Sequence, residues 1–99
     1  MPIGDFVSTL PPIVFLVIHA ALFLIGVYFA QRSLAAGSQG LAAGFALFAL
    51  AEISYMTYHL DWTVFLFAHT VSEVLDLLAF ILIFSWTVRR ATTSAVAAH

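Results

Sequence analysis

The sequence predicts an all-α membrane protein built from three transmembrane helices. Hydrophobic side chains make up 64% of the chain and charged ones 8%, against roughly one quarter charged in a soluble domain. The apolar residues fall into three runs of about the 20 residues that match the hydrocarbon thickness of a bilayer. Short polar or glycine-containing breaks separate those runs. A chain with so little polar surface cannot cover itself in water. Cysteine and lysine are both absent, which removes thiolate metal sites and any basic footprint for nucleic acid.

The first span is predicted over residues 11–32, with Ser8 or Thr9 capping its start and Pro11 and Pro12 tolerated in a first turn whose amides lack helical partners anyway. Residues 33–40, with Gly37 and Gly40, read as a loop. The second span is predicted over residues 41–60 and the third over 63–88. Only Asp61 and Trp62 are left between them, so a tight hairpin is expected, with Asp61 capping the third helix. Residues 89–99 are small and polar enough to fray and are expected to form a flexible tail on a single domain of residues 1–99. A signal peptide is the rival reading of the first run. It is set aside because no Lys or Arg precedes the run, which also exceeds the usual apolar region of about 7 to 15 residues.

All three basic residues, Arg32, Arg89 and Arg90, fall on one side of a three-span protein, and Asp5 and Asp61 on the other. Because Lys and Arg prefer the cytoplasm, the N-terminus is expected outside and the C-terminus inside. The expected location is a prokaryotic cytoplasmic membrane. Trp62 and Trp86 stand near opposite ends of the third span, where indole rings anchor at interfaces. Tyr28 and Tyr58 are assigned to the same belts.

The informative residues are polar ones inside the apolar runs. Counting inward at about 1.5 Å per residue sets His19, Tyr55 and His69 roughly 10 to 12 Å below the outer boundary, with Glu52 and Glu73 at roughly 15 to 17 Å and Asp76 at roughly 20 Å. His69, Glu73 and Asp76 share a helix face by spacing, and so do Glu52, Tyr55 and His59. Each carboxylate near a helix centre costs about 2.5 to 3.5 kcal/mol, so Glu52, Glu73 and Asp76 together cost on the order of 8 to 10 kcal/mol unless something compensates. That rivals the whole stability of a small domain. No lysine or arginine lies at their depth to pair with them, Arg32 standing at the far end of the first run.

Four readings meet that cost. In the first, His19, Glu52, His69 and Glu73 bind a zinc, iron or copper ion, with Tyr55, His59 and Asp76 around them; imidazole and carboxylate suit such ions. No HExxH signature accompanies the set. In the second, His19 and His69 are paired axial ligands of a b-type haem in an electron-transfer subunit. That layout resembles haem-bearing membrane anchor subunits such as those of succinate dehydrogenase, in architecture alone and without that family's sequence motif. In the third, Glu52, Glu73 and Asp76 share protons and conduct them, or a cation, through Tyr55 and His69. In the fourth, the same groups only join helices in an accessory subunit, with Asp76 bonding back to Ser72 or to a histidine and His59 sitting at the interface.

A metal-bound water near Glu73 would give hydrolase chemistry, but ordinary hydrolase motifs such as GxSxG are missing and enzyme activity stays open. The small residues Gly26 and Ala30, and Ala42, Ala43, Gly44 and Ala46, predict faces that admit a second helix closely. A homo-oligomer or a membrane complex is therefore the expected partner, alongside the bilayer. The cation site is the leading expectation.

Overall fold

The computed structural model describes the backbone of residues 3–98 and the side chains of residues 3–93. A short 3-10 turn, Asp5–Thr9, leads into three helices: α1, Pro12–Ala35; α2, Gln39–His59; and α3, Phe65–Ala98. All three are long and apolar enough to cross a membrane.

The helix ends explain the boundaries. Pro11 is the cap residue of α1 and Pro12 opens the helix, so the fixed proline φ suits a first turn that needs no amide there. Neither Ser8 nor Thr9 caps it, contrary to expectation. Their hydroxyls donate back to the carbonyls of Asp5 and Phe6 within the 3-10 turn. At the other end, the Gly37 amide reaches the Leu34 carbonyl and the Ser38 amide reaches that of Ser33, with Gly37 at φ 77°. This pair of bonds is a Schellman closure, which needs a left-handed residue and so favours glycine.

The same closure ends α2 without a glycine. Asp61 adopts φ 63°, its amide donating to Tyr58 while that of Trp62 donates to Thr57. Asp61 therefore terminates α2 and does not cap α3. The connection is five residues, 60–64, longer than the two expected, and a bond of 3.0 Å between the Thr57 and Thr63 hydroxyls braces it. α3 then runs past residue 88 to Ala98, where a frayed tail is expected from sequence; its alanines favour helix and no Gly or Pro interrupts it. At 34 residues it is about 51 Å long, some 20 Å more than the hydrocarbon thickness. His99 lies outside the described residues.

α2 is the central element. It packs on α1 along one side and on α3 along the other, while α1 and α3 make no close backbone approach among the described residues. Among the described residues, the buried apolar side chains are five alanines, at positions 42, 49, 51, 68 and 79. Large apolar side chains such as Leu24, Leu66, Phe80 and Phe84 point outward. Small residues inside and large ones outside are the arrangement expected when lipid is the solvent and close helix approach supplies the cohesion.

Glycines set that approach. A Cβ on Gly40 would stand 2.4 Å from the Trp86 ring, one on Gly44 2.5 Å from Ile83, and one on Gly26 3.0 Å from Phe48. Thus Gly26, Ala42 and Gly44, expected to admit another chain, are buried within this one. Ala43 and Ala46 remain exposed and Ala30 half-exposed. α2 starts at Gln39, two residues ahead of the expected start, and so includes Gly40, against which the Trp86 ring packs. Trp86 is accordingly a packing residue, whereas Trp62 is 74% exposed.

Candidate functional site

The polar side chains of the spans gather between the mid-level of the bundle and the end that carries Asp61. At the centre, His19 Nδ1 of α1 lies 2.5 Å from Glu52 Oε2 of α2. Glu52 is buried and His19 partly so. The pair joins α1 to α2 and sets an imidazole nitrogen against the carboxylate, a contact that offsets part of the desolvation cost that isolated burial imposes.

Aromatic rings extend the pair in two directions. The His19 ring stacks on Tyr55 at 5.0 Å and on His59 at 5.4 Å between centroids. His59 stacks in turn on Phe15 at 5.0 Å. Across the other seam, the Tyr55 hydroxyl is 3.4 Å from His69 Nδ1, a long contact for a hydrogen bond. His69 stacks on Phe65 one turn earlier on α3, and Tyr58 packs edge-on against both Phe65 and His59. The result is a closed circuit of rings across all three helices, with Tyr55 between His19 and His69.

The predicted residues are distributed unevenly around this circuit. His19, Glu52, Tyr55, His59 and His69 belong to it. His59 is not a solitary interfacial group, since its ring lies between Phe15 and His19, and Tyr58 is part of the cluster as well as a boundary residue. Glu73 is exposed on α3, close to the Tyr55 hydroxyl. Asp76 lies deeper, in a groove among phenylalanines, with Oδ1 buried and unpartnered. Ser72, expected as a partner for Asp76, instead donates to the Ala51 carbonyl at 2.9 Å and pins α3 to α2.

Among the described residues no three His, Asp or Glu side chains converge as a metal-holding group. Tyr55 stands between His19 and His69, its ring stacked on the first and its hydroxyl directed to the second. Phe15 and Phe65 contribute without having been singled out from sequence, and Ser72 contributes with a different partner from the one expected. The spacing of Phe65 and His69, one turn apart, carries the signal for that stack. The Phe15–His59 and Ser72–Ala51 contacts had none, being set by the registry of different helices.

Above the cluster, an open crevice of about 570 Å³ reaches down from the Asp61 end. Asp5, Ser8 and Asp61 line it near the mouth and Phe15, Tyr58 and His59 toward the cluster. The crevice, mostly apolar in its lining with Asp5, Ser8 and Asp61 among it, thus reaches His59, the first ring of the series that leads to Glu52. No protein-family model, curated protein or solved structure matches this chain.

Proposed function

We propose that this chain is an integral membrane protein that binds and exchanges a proton at the His19–Glu52 pair, drawing it from the outer aqueous side through the crevice that ends on His59. The observation that carries the reading is the 2.5 Å contact of a buried carboxylate with an imidazole, two rings below the crevice. In this reading α2 and α3 form an antiparallel hairpin, with the N-terminus outside and the three arginines in the cytoplasm.

The groups have separate roles. Asp5 and Asp61 at the mouth raise the local concentration of cations, protons included. His59 receives the proton, its imidazole being the one side-chain type whose ordinary titration falls near neutral pH. A bridging water or a ring rotation spans the step to His19, which shares the proton with Glu52. Tyr55, His69 and Glu73 form a lateral branch. Below Glu52 the lining is apolar except for Asp76, so the exchange is with the outer face and is not through-conduction.

The test is infrared difference spectroscopy of the protein in lipid nanodiscs, titrated with acid and repeated in heavy water. Wild type should show a protonated-carboxyl stretch that Glu52→Gln abolishes, and His59→Phe should slow deuterium exchange at that band without removing it. A carboxyl band untouched by Glu52→Gln, or none at all while Glu52→Gln merely changes stability, would leave helix joining as the sufficient role. The same two atoms, His19 Nδ1 and Glu52 Oε2, are donors a zinc, iron or copper ion accepts. Stoichiometric metal in the purified protein that disappears in His19→Ala would replace the proton by a metal ion, and a Soret band would replace it by haem.

A further inference from the structure

Because α1 and α3 each pack on α2 without closing on each other, a groove of about 340 Å³ lies between them at the level of Gly26. That volume is at the lower end of the range for small-molecule pockets, about 300 to 1,000 Å³. Its walls are apolar and strongly aromatic, with Phe29 from α1, Phe45 and Phe48 from α2 and Phe80 from α3. One wall position breaks the pattern. Asp76 lines the groove, and its Oδ1 is buried with no hydrogen-bond partner among the described residues.

An unpartnered carboxylate oxygen in apolar surroundings is costly, and buried polar atoms in folded proteins are normally satisfied. The possible occupants differ in whether they relieve it. A lipid acyl chain fills volume but offers the carboxylate nothing. A second copy of this chain has no lysine, and its three arginines stand at residues 32, 89 and 90, toward the opposite end from Asp61 and well below the level of Asp76. A hydrophobic organic cation satisfies both features, its body against the phenylalanine rings and its charge beside Asp76; ring faces attract cations in addition.

We propose that this groove is a binding site for lipophilic organic cations, with Asp76 as the counter-ion and Phe29, Phe45, Phe48 and Phe80 as the aromatic enclosure. Gly26 gives the site its depth, since a side chain there would press against Phe48. Neither His19 nor Glu52 lines the groove, and its test does not rest on the proton reading of that pair.

Equilibrium dialysis of the detergent-solubilised protein against tetraphenylphosphonium tests this, with protein-free micelles as the blank and tetraphenylborate as a probe of the same shape and opposite charge. Wild type should bind the phosphonium saturably at about one per chain, and the borate no more than the blank. Asp76→Asn, nearly the same size, should weaken phosphonium binding by about tenfold or more, with helical content unchanged by circular dichroism. Phe80→Ala, at a position 71% exposed that the fold does not need, should weaken it severalfold and guards against misfolding as the explanation. Equal binding of phosphonium and borate, Asp76→Asn within twofold of wild type, no saturable binding, or cross-linking of Phe80→Cys to a second copy that fills the groove would overturn the assignment.

Discussion

His19 and Glu52 meet across the α1–α2 seam with 2.5 Å between Nδ1 and Oε2, and the carboxylate is buried. This contact ties the energetics of the bundle to its chemistry, because a bare carboxylate at that depth is what the membrane tolerates least. A double-mutant cycle of His19→Ala and Glu52→Ala, followed by unfolding in mild detergent, is expected to give a coupling of about 1.5 to 3 kcal/mol. Interhelical hydrogen bonds in membranes average about 0.6 kcal/mol, so a coupling no larger than that would reduce the pair to ordinary helix joining.

Gly40→Ala puts a methyl group against the Trp86 ring, where a Cβ would stand 2.4 Å away. Either α2 separates from α3 or the indole leaves its place, and a loss of about 1 to 3 kcal/mol is expected. Trp86→Leu alone should also destabilise. Combined with Gly40→Ala it should recover part of the loss, and strict additivity of the two in thermal unfolding would show that they do not share the contact.

Asp61 holds a left-handed conformation, φ 63°, that glycine adopts without steric cost. Asp61→Gly should raise stability by about 0.5 to 1 kcal/mol, and Asp61→Val should lower it by about 1 to 2 kcal/mol. Melting temperatures that fall in both variants would point to a role for the carboxylate itself at the crevice mouth.

Ser72 is fully buried and donates to the Ala51 carbonyl. Removing only the hydroxyl, in Ser72→Ala, should cost about 0.6 kcal/mol. Ser72→Leu should cost several times more, since the added volume has nowhere to go but between α2 and α3. If the two variants unfold alike, the seam is looser than the contact indicates.

The absence of native cysteine makes topology directly readable. Single substitutions Ser8→Cys and Thr93→Cys should label with a membrane-impermeant maleimide from opposite sides of sealed vesicles, Ser8→Cys from the outside. Labelling of both from one side contradicts an odd number of crossings.

Much of this architecture was legible in the chain because it depends on local composition. The three apolar runs, Pro12 at a helix start and Gly37 after a helix end act over one turn or less, and the helices form there. Asp61 misled for the same reason: an Asp next to a helix reads as a cap, and whether it closes the preceding helix or opens the following one depends on a backbone angle that composition leaves free. The depth count brought His19, Tyr55, His69 and Glu52 to neighbouring levels, and they do assemble. Glu73 reaches the Tyr55 hydroxyl from an exposed position and Asp76 lines the groove with Phe80, details that a depth count leaves open because depth along an axis says nothing of rotation about it.

What the sequence determined by itself is therefore the solvent and the elements: apolar spans long enough to cross hydrocarbon, their breaks, and the presence of acids too costly to stand alone there. What only the tertiary structure decided is which acid meets which base. Small residues at Gly26, Gly40 and Gly44 let the helices approach closely, and the resulting registry pairs Glu52 with His19 while Asp76 lines an apolar groove with no hydrogen-bond partner for its Oδ1 among the described residues. The physical reason is that helix formation uses hydrogen bonds within a few residues, whereas pairing across seams is set by shape complementarity between surfaces far apart in the chain.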